Sequence, residues 1–214
     1  FSFKHPMVNR ISNKLARELP IYQKMRDSFR NIYTSRELGF ENEFESLNKP
    51  SYIKGYFQTF KYPDSIKNEL LNYLILRKTS EWYNEKLEEI QSIQPTAVHI
   101  RRGDYTKLKE EFGVLDIKYY LAALSNLPSQ SSRPIWIFTD SPDLVRNEVK
   151  DSLLENAIIV EPPSDSSPGD TMMLISKCNI IIMSNSTFSW WASYLAPTNA
   201  LIYAPSKWFR GRKD

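Results

Sequence analysis

The chain has 214 residues, 41% of them hydrophobic and 25% charged, with a net charge of +3; this suits one large folded domain, or one domain with part of another. The basic excess is too small and scattered to point to nucleic acid, and no apolar run reaches the ~18 residues a membrane-spanning helix needs. Cys178 is the only cysteine, which excludes an internal disulfide and favours a cytosolic setting, and His5 and His99 are too few for a zinc site of clustered histidines.

In chain order, Phe1 to about Lys49 is polar and mixed, with an acidic stretch at Glu41, Glu43 and Glu45. Leu15, Leu19, Tyr22, Met25 and Phe29 recur at steps of three or four and predict a helix from Ile11 to Ile32. An aromatic extended segment follows at Tyr52–Gln58. Beyond Pro63, Asp64 can cap a helix running towards Gln91, with Ile66, Leu70, Leu74 and Leu87 on one apolar face.

From Pro95 the pattern changes. Short apolar runs predict strands at Ala97–Ile100, Ile135–Thr139, Ala157–Val160, Ile180–Met183 and Leu201–Tyr203. Helices are expected between them at Asp116–Asn126, Pro142–Asp151, Thr171–Lys177 and Thr187–Leu195. Repeated alternation of this kind argues for an α/β fold with a parallel sheet covered on both faces, and ligands bind such sheets at the carboxyl ends of the strands. That rule selects His99–Tyr105, Asp140 and Ser184–Thr187, and the change of pattern at Pro95 sets a domain boundary between residues 1–94 and 95–214.

Each segment has two readings. In His99-Ile100-Arg101-Arg102-Gly103-Asp104-Tyr105, arginine supplies a planar, permanently charged fork that matches phosphate oxygens, and glycine allows close backbone approach. Alternation along the strand sends His99 and Arg101 to one side and Arg102 to the other, where a carboxylate can hold it. The competing reading is a strand end closed by a structural Arg–Asp ion pair. Asp140 can accept paired hydrogen bonds, for example from a guanine edge, or simply cap the helix that follows. Ser184-Asn185-Ser186-Thr187 opens a helix directly after a strand and so suits an anion, or else is an ordinary helix start. Trp190 and Trp191 read as core anchors. Asn185-Ser186-Thr187 fits a glycosylation acceptor pattern, but a buried strand–helix junction argues against modification.

Together these segments resemble the α-1,2-fucosyltransferase family of bacterial surface-polysaccharide pathways and animal blood-group synthesis. The resemblance rests on His99–Tyr105, Gly113–Asp116 with Tyr119-Tyr120, Phe138–Asp140, Asp170–Ser176 and Ser184–Leu195, and upstream on Gly55-Tyr56-Phe57-Gln58 with Lys61-Tyr62. It implies a metal-independent, inverting glycosyltransferase of GT-B type. Residues 95–214 would be the Rossmann-like domain for the donor, and residues 1–94 a partial, mostly helical domain on the acceptor side. The implied reaction moves L-fucose from GDP-fucose, a co-substrate rather than a cofactor, to the 2-hydroxyl of a galactose-terminated oligosaccharide or lipid-linked glycan. The Lys-, Asn- and Ile-rich composition points to a bacterial source, with a cytoplasmic or membrane-peripheral setting.

By motif position, the resemblance implies Arg101 on the β-phosphate, His99 and Asp140 near the guanine, and Ser186 with Thr187 beside the diphosphate. Arg102, Gly103, Ser184 and Asn185 complete the expected donor-binding set. Arg101 is also the expected catalytic charge stabiliser; Asp104 and Asp116 are the carboxylates nearest the motifs for a base, with Glu110 and Glu111 as alternatives. The glycine-rich "G-G-L-G-N-Q" segment that usually opens family members does not occur here, so the chain reads as a fragment. A fucosyltransferase making α-1,6 linkages or acting on protein hydroxyls would share the His-x-Arg-Arg motif, although the Asn-Ser-Thr-Phe-Ser-Trp-Trp stretch favours α-1,2. A non-catalytic nucleotide- or sugar-binding module is the more distant rival.

Overall fold

The computed structural model describes residues 32–35, 39–46, 52–103, 113–128 and 133–208. The chain divides into two compact units, one ending at Leu74 and the other starting at Ile75. The helix expected over Ile11–Ile32 lies outside the described residues except at its last position, where Ile32 opens a strand instead.

In the first unit, β1 (Ile32–Thr34) pairs in parallel with β2 (Tyr52–Lys54), and a 3-10 turn covers Asn42–Ser46. Two short helices follow, α1 (Lys61–Asp64) and α2 (Lys67–Tyr73). The extended segment stops at Lys54 rather than Gln58, and Phe57 takes a left-handed φ of 50°. Its ring packs 5.6 Å from Phe44 and 5.4 Å from Tyr62, in a cluster that also takes in Tyr33 and Phe40. Glu41 is the polar hub of this cluster. Its carboxylate accepts from the Tyr33 hydroxyl and from Ser35 Oγ (2.7 Å), and its own N–H donates to the Tyr62 hydroxyl (2.9 Å). Burial and the adjacent carboxylate together push the Tyr33 phenol well above its ordinary range. Gly55 is required by close approach, since a Cβ there would lie 2.5 Å from Ser35 Cβ.

The long helix expected from Asp64 to Gln91 is broken. Asp64 ends α1 instead of capping a helix, and α3 (Glu81–Ile93) begins afresh. Ser80 causes the restart: it is extended, and its Oγ accepts from the Tyr83 N–H at 3.1 Å, taking a donor that a continuous helix would give to a carbonyl. Helix α3 buries Tyr83 and Ile90 in the core of the sheet. It therefore packs with the second unit, and the division falls ahead of Pro95.

The second unit is a five-stranded, wholly parallel sheet in the order β5-β4-β3-β6-β7. Its strands are β3 (Thr96–Ile100), β4 (Ile135–Thr139), β5 (Ile158–Val160), β6 (Ile180–Ile182) and β7 (Leu201–Tyr203). The helices between them are α4 (Ile117–Ser125), α5 (Pro142–Val149), α6 (Pro168–Ile175) and α7 (Thr187–Tyr194). Period-two alternation divides the core. Ala97, Trp136, Phe138 and Ile181 face α3, α6 and α7, whereas Val98, Ile100, Ile137 and Ile182 face α4 and α5. This is the parallel sheet covered on both faces that the alternation of strands and helices predicts, and it is consistent with the Rossmann-like fold that the resemblance implies.

Two helix details differ from expectation. Helix α6 starts at Pro168 rather than Thr171, because Ser167 and Asp170 form a reciprocal capping box with proline at the first helical position. Asp170 is buried and its Oδ2 also accepts from Ser80 Oγ at 2.9 Å, tying the starts of α3 and α6 together. In α7, Ser189 and Ala192 are the residues buried, while Trp190 and Trp191 are only half-buried. The tryptophans pack instead on each other and on Tyr194, with Trp190 stacked on Tyr194 at 4.9 Å. Small side chains let the helix sit close to the sheet, which leaves no room beneath it for an indole. No helix among the described residues is long and apolar enough to cross a membrane.

Candidate functional site

The connections after β3 and β4 lead to helices on one face of the sheet, and those after β5 and β6 to helices on the other. Neighbouring strands β3 and β6 therefore send their chains apart, and the crevice beyond their carboxyl ends is the topological switch point where such folds bind ligands. His99–Gly103 leave β3 there and Ser184–Thr187 leave β6, so the fold brings these two expected segments together.

His99 is buried, with Nδ1 2.9 Å from Ser184 Oγ and its ring 5.4 Å from that of Phe188. Burial lowers its pKa to about 4, with Arg101 adding to the effect and Asp140 opposing it, so the imidazole is neutral near pH 7. Ser184 is held in turn by its N–H, which donates to Ser189 Oγ at 3.0 Å.

Arg101 keeps 31% of its side chain exposed, and its Nη1 lies 3.0 Å from Asp140 Oδ2. Asp140 does more than pair with that charge. Its Oδ1 accepts from the N–H groups of Arg102 (2.9 Å) and Gly103 (3.2 Å), so one carboxylate at the end of β4 fixes the turn that leaves β3. It is not the helix cap: Ser141 occupies the N-cap of α5, without a side-chain capping bond. The same clamp explains Gly103, because a Cβ there would lie 2.3 Å from Asp140 Oδ2.

Arg102 goes the other way, as strand alternation predicts. Its side chain is 3% exposed, with Nε donating to Glu148 Oε2 at 2.7 Å and Nη1 to the Arg101 carbonyl at 3.1 Å. The Arg–Asp reading and the carboxylate reading of this segment both hold, one for each arginine. Asn185 is buried as well, and its amide donates to the carbonyls of Gly113 (3.1 Å) and Trp208 (3.2 Å), which fastens three loops together and leaves the acceptor pattern inaccessible to glycosylation. Ser186 is the N-cap of α7 without a side-chain capping bond, and Thr187 is exposed at the first helical position.

Among the carboxylates considered as a base, Asp116 is exposed and caps α4, accepting from the Lys118 N–H at 2.8 Å. Asp104, Glu110 and Glu111 lie outside the described residues. Three partners escaped sequence reasoning: Glu148, Ser189 and Phe188. The last two sit inside the Ser184–Leu195 segment, in the first turn of α7, and the small–large alternation there was the available signal. Nothing in the sequence links Glu148 to Arg102.

The geometry therefore offers a cationic, partly exposed Arg101, a neutral His99 and the amino-terminal end of α7 around one crevice, an arrangement suited to an anionic ligand. The chain is 29% identical over 166 residues to the O-antigen biosynthesis glycosyltransferase WbnK of Escherichia coli, covering 73% of this chain and 54% of that protein. It is 26% identical over 162 residues to galactoside alpha-(1,2)-fucosyltransferase 2 of Pongo pygmaeus, covering 71% and 47%, respectively. It is 24% identical over 160 residues to an alpha-1,2-colitosyltransferase of Escherichia coli, covering 72% and 55%. The chain thus spans about half the length of these curated relatives. The profile of glycosyl transferase family 11 matches residues 9–212, nearly the whole chain, and the protein belongs to that family.

Proposed function

We propose that this chain carries the donor site of a GDP-fucose-dependent α-1,2-fucosyltransferase acting on a galactose-terminated glycan. The observation that carries the proposal is the partly exposed Arg101 guanidinium at the β3–β6 switch point, held by Asp140 on the same side of the sheet as His99. The names of the relatives support the linkage more firmly than the sugar: α-1,2 recurs among them, while the transferred group is fucosyl in one and colitosyl in another.

In the proposed reaction the acceptor oxygen bonds to the anomeric carbon of fucose as the bond to the β-phosphate oxygen breaks. GDP leaves with the electron pair, and configuration inverts from β to α. Negative charge grows on the diphosphate, where Arg101 and the free N–H groups at the start of α7 stabilise it without a metal ion. The hydroxyls of Ser186 and Thr187 lie at the same helix start. The acceptor proton passes to solvent or to a nearby carboxylate, Asp104 being the candidate closest in sequence to Arg101.

Calorimetric titration of the chain with GDP and GDP-fucose, with and without EDTA, tests this reading. Binding that survives EDTA and disappears in Arg101→Ala is the expected result. Binding that needs added metal, or that Arg101→Ala leaves intact, would overturn the assignment. A panel of GDP-linked deoxy sugars incubated with galactose-terminated acceptors separates fucosyl from colitosyl transfer.

A further inference from the structure

The pair formed by His99 and Ser184 determines more than position. Ser184 is 1% exposed, and its Oγ has no partner other than His99 Nδ1 among the described residues. A hydroxyl sealed from water must donate its hydrogen or forfeit a hydrogen bond, which is costly in a buried site. The Nδ1 lone pair is the acceptor within reach. If Nδ1 carried the proton instead, it would donate to an Oγ lone pair and the buried hydroxyl hydrogen would be left with no partner. The imidazole proton therefore belongs on Nε2, the ring nitrogen that Ser184 leaves without a bond.

Two further contacts hold the arrangement in place. The Ser184 N–H is bound by Ser189 Oγ, which comes from the first turn of α7, and the Phe188 ring lies against the imidazole at an interplanar angle of 32°. Both come from the helix whose amino terminus opens into the crevice. We propose that Ser184 is a positioning residue that locks His99 in the neutral Nε2–H tautomer, so that the site presents an uncharged hydrogen-bond donor to an acceptor atom of the bound nucleotide. The tautomer follows from this chain's own geometry; the identity of the ligand rests on the function proposed above. With Arg101 already supplying positive charge on the same side, a neutral donor adds direction without further like-charge repulsion.

The test exploits the scarcity of histidine. With His5 replaced by Gln, His99 is the only imidazole in the chain, and two-bond ¹H–¹⁵N correlation spectra report its tautomer directly. The expected spectrum at pH 7 is that of a single Nε2–H tautomer. In Ser184→Ala the ring should become a tautomeric mixture and GDP affinity should fall about 3- to 10-fold, the size of one modest hydrogen bond. Ser184→Thr, which retains the hydroxyl, should restore both. An Nδ1–H or imidazolium pattern in the otherwise unchanged chain overturns the proposal even if the alanine variant does not fold, as does a pattern that Ser184→Ala leaves unaltered. A chain that shows the Nε2–H tautomer but binds no GDP upholds the lock and overturns the nucleotide reading.

Discussion

The two faces of the sheet meet the end of β3 in opposite ways. On one face Arg101 keeps nearly a third of its side chain exposed and pairs with a carboxylate that also holds the backbone. On the other, Arg102 is sealed against Glu148 and donates to the carbonyl of its own neighbour. Adjacent residues of identical chemistry are thus given different work by strand alternation. One retains the solvent access a ligand needs; the other anchors the turn from behind. Substitution should separate turnover from stability along that line.

The largest expected effect is on chemistry. Arg101→Ala should lower turnover by roughly two to three powers of ten, comparable to losing an oxyanion donor, with little change in melting temperature. Steady-state rates beside thermal unfolding check this, and a matching loss of stability would erase the distinction between the two arginines.

Next comes pH. His99 has its folded pKa lowered to about 4 from an ordinary value of 6.5, so between these values the unfolded chain binds the extra proton. Stability should therefore rise with pH across that window, by up to roughly 3 kcal/mol, and level off above it. Denaturant unfolding between pH 4 and 7 should show this slope, and His99→Gln should remove it.

Breaking the buried pair should act on stability alone. Glu148→Ala strands the Arg102 guanidinium, and since Glu148 is itself a third exposed, a loss of about 2 kcal/mol is expected, below the range for fully buried pairs. Denaturant melts would measure it, and residual turnover per folded molecule should stay near normal. The smallest effect should come from Gly103→Ala. The added methyl must displace the Asp140 carboxylate, at a cost of about 1 kcal/mol and a several-fold weaker affinity for GDP by titration.

Much of this contrast was legible in the sequence because period-two alternation is local: His99, Arg101 and Arg102 could be assigned to faces from their spacing. The strands were legible as short apolar runs, and the helices at Asp116 and Pro142 have a cap or a proline at their start. What escaped was decided by distant or competing contacts. Arg102 and Glu148 meet across 46 positions, and Asp140 reaches the Arg102 N–H across 38. The break before α3 falls where the apolar face lapses between Leu74 and Leu87: the preceding helix stops at Tyr73, and Ser80 caps a new one. Trp190 and Trp191 looked like core residues by composition, whereas the close approach of α7 to the sheet demanded Ser189 and Ala192.

The Gly103–Asp140 contact also bears on how this protein can vary. A side chain at 103 and a carboxylate at 140 cannot occupy the same space, so the two positions, far apart in the chain, behave as one variable. Single changes at either position would each register a cost that a matched pair avoids. A paired search, with a shorter or neutral residue at 140 alongside a small side chain at 103, is where altered ligand preference could be reached without first passing through a destabilised, weaker-binding intermediate.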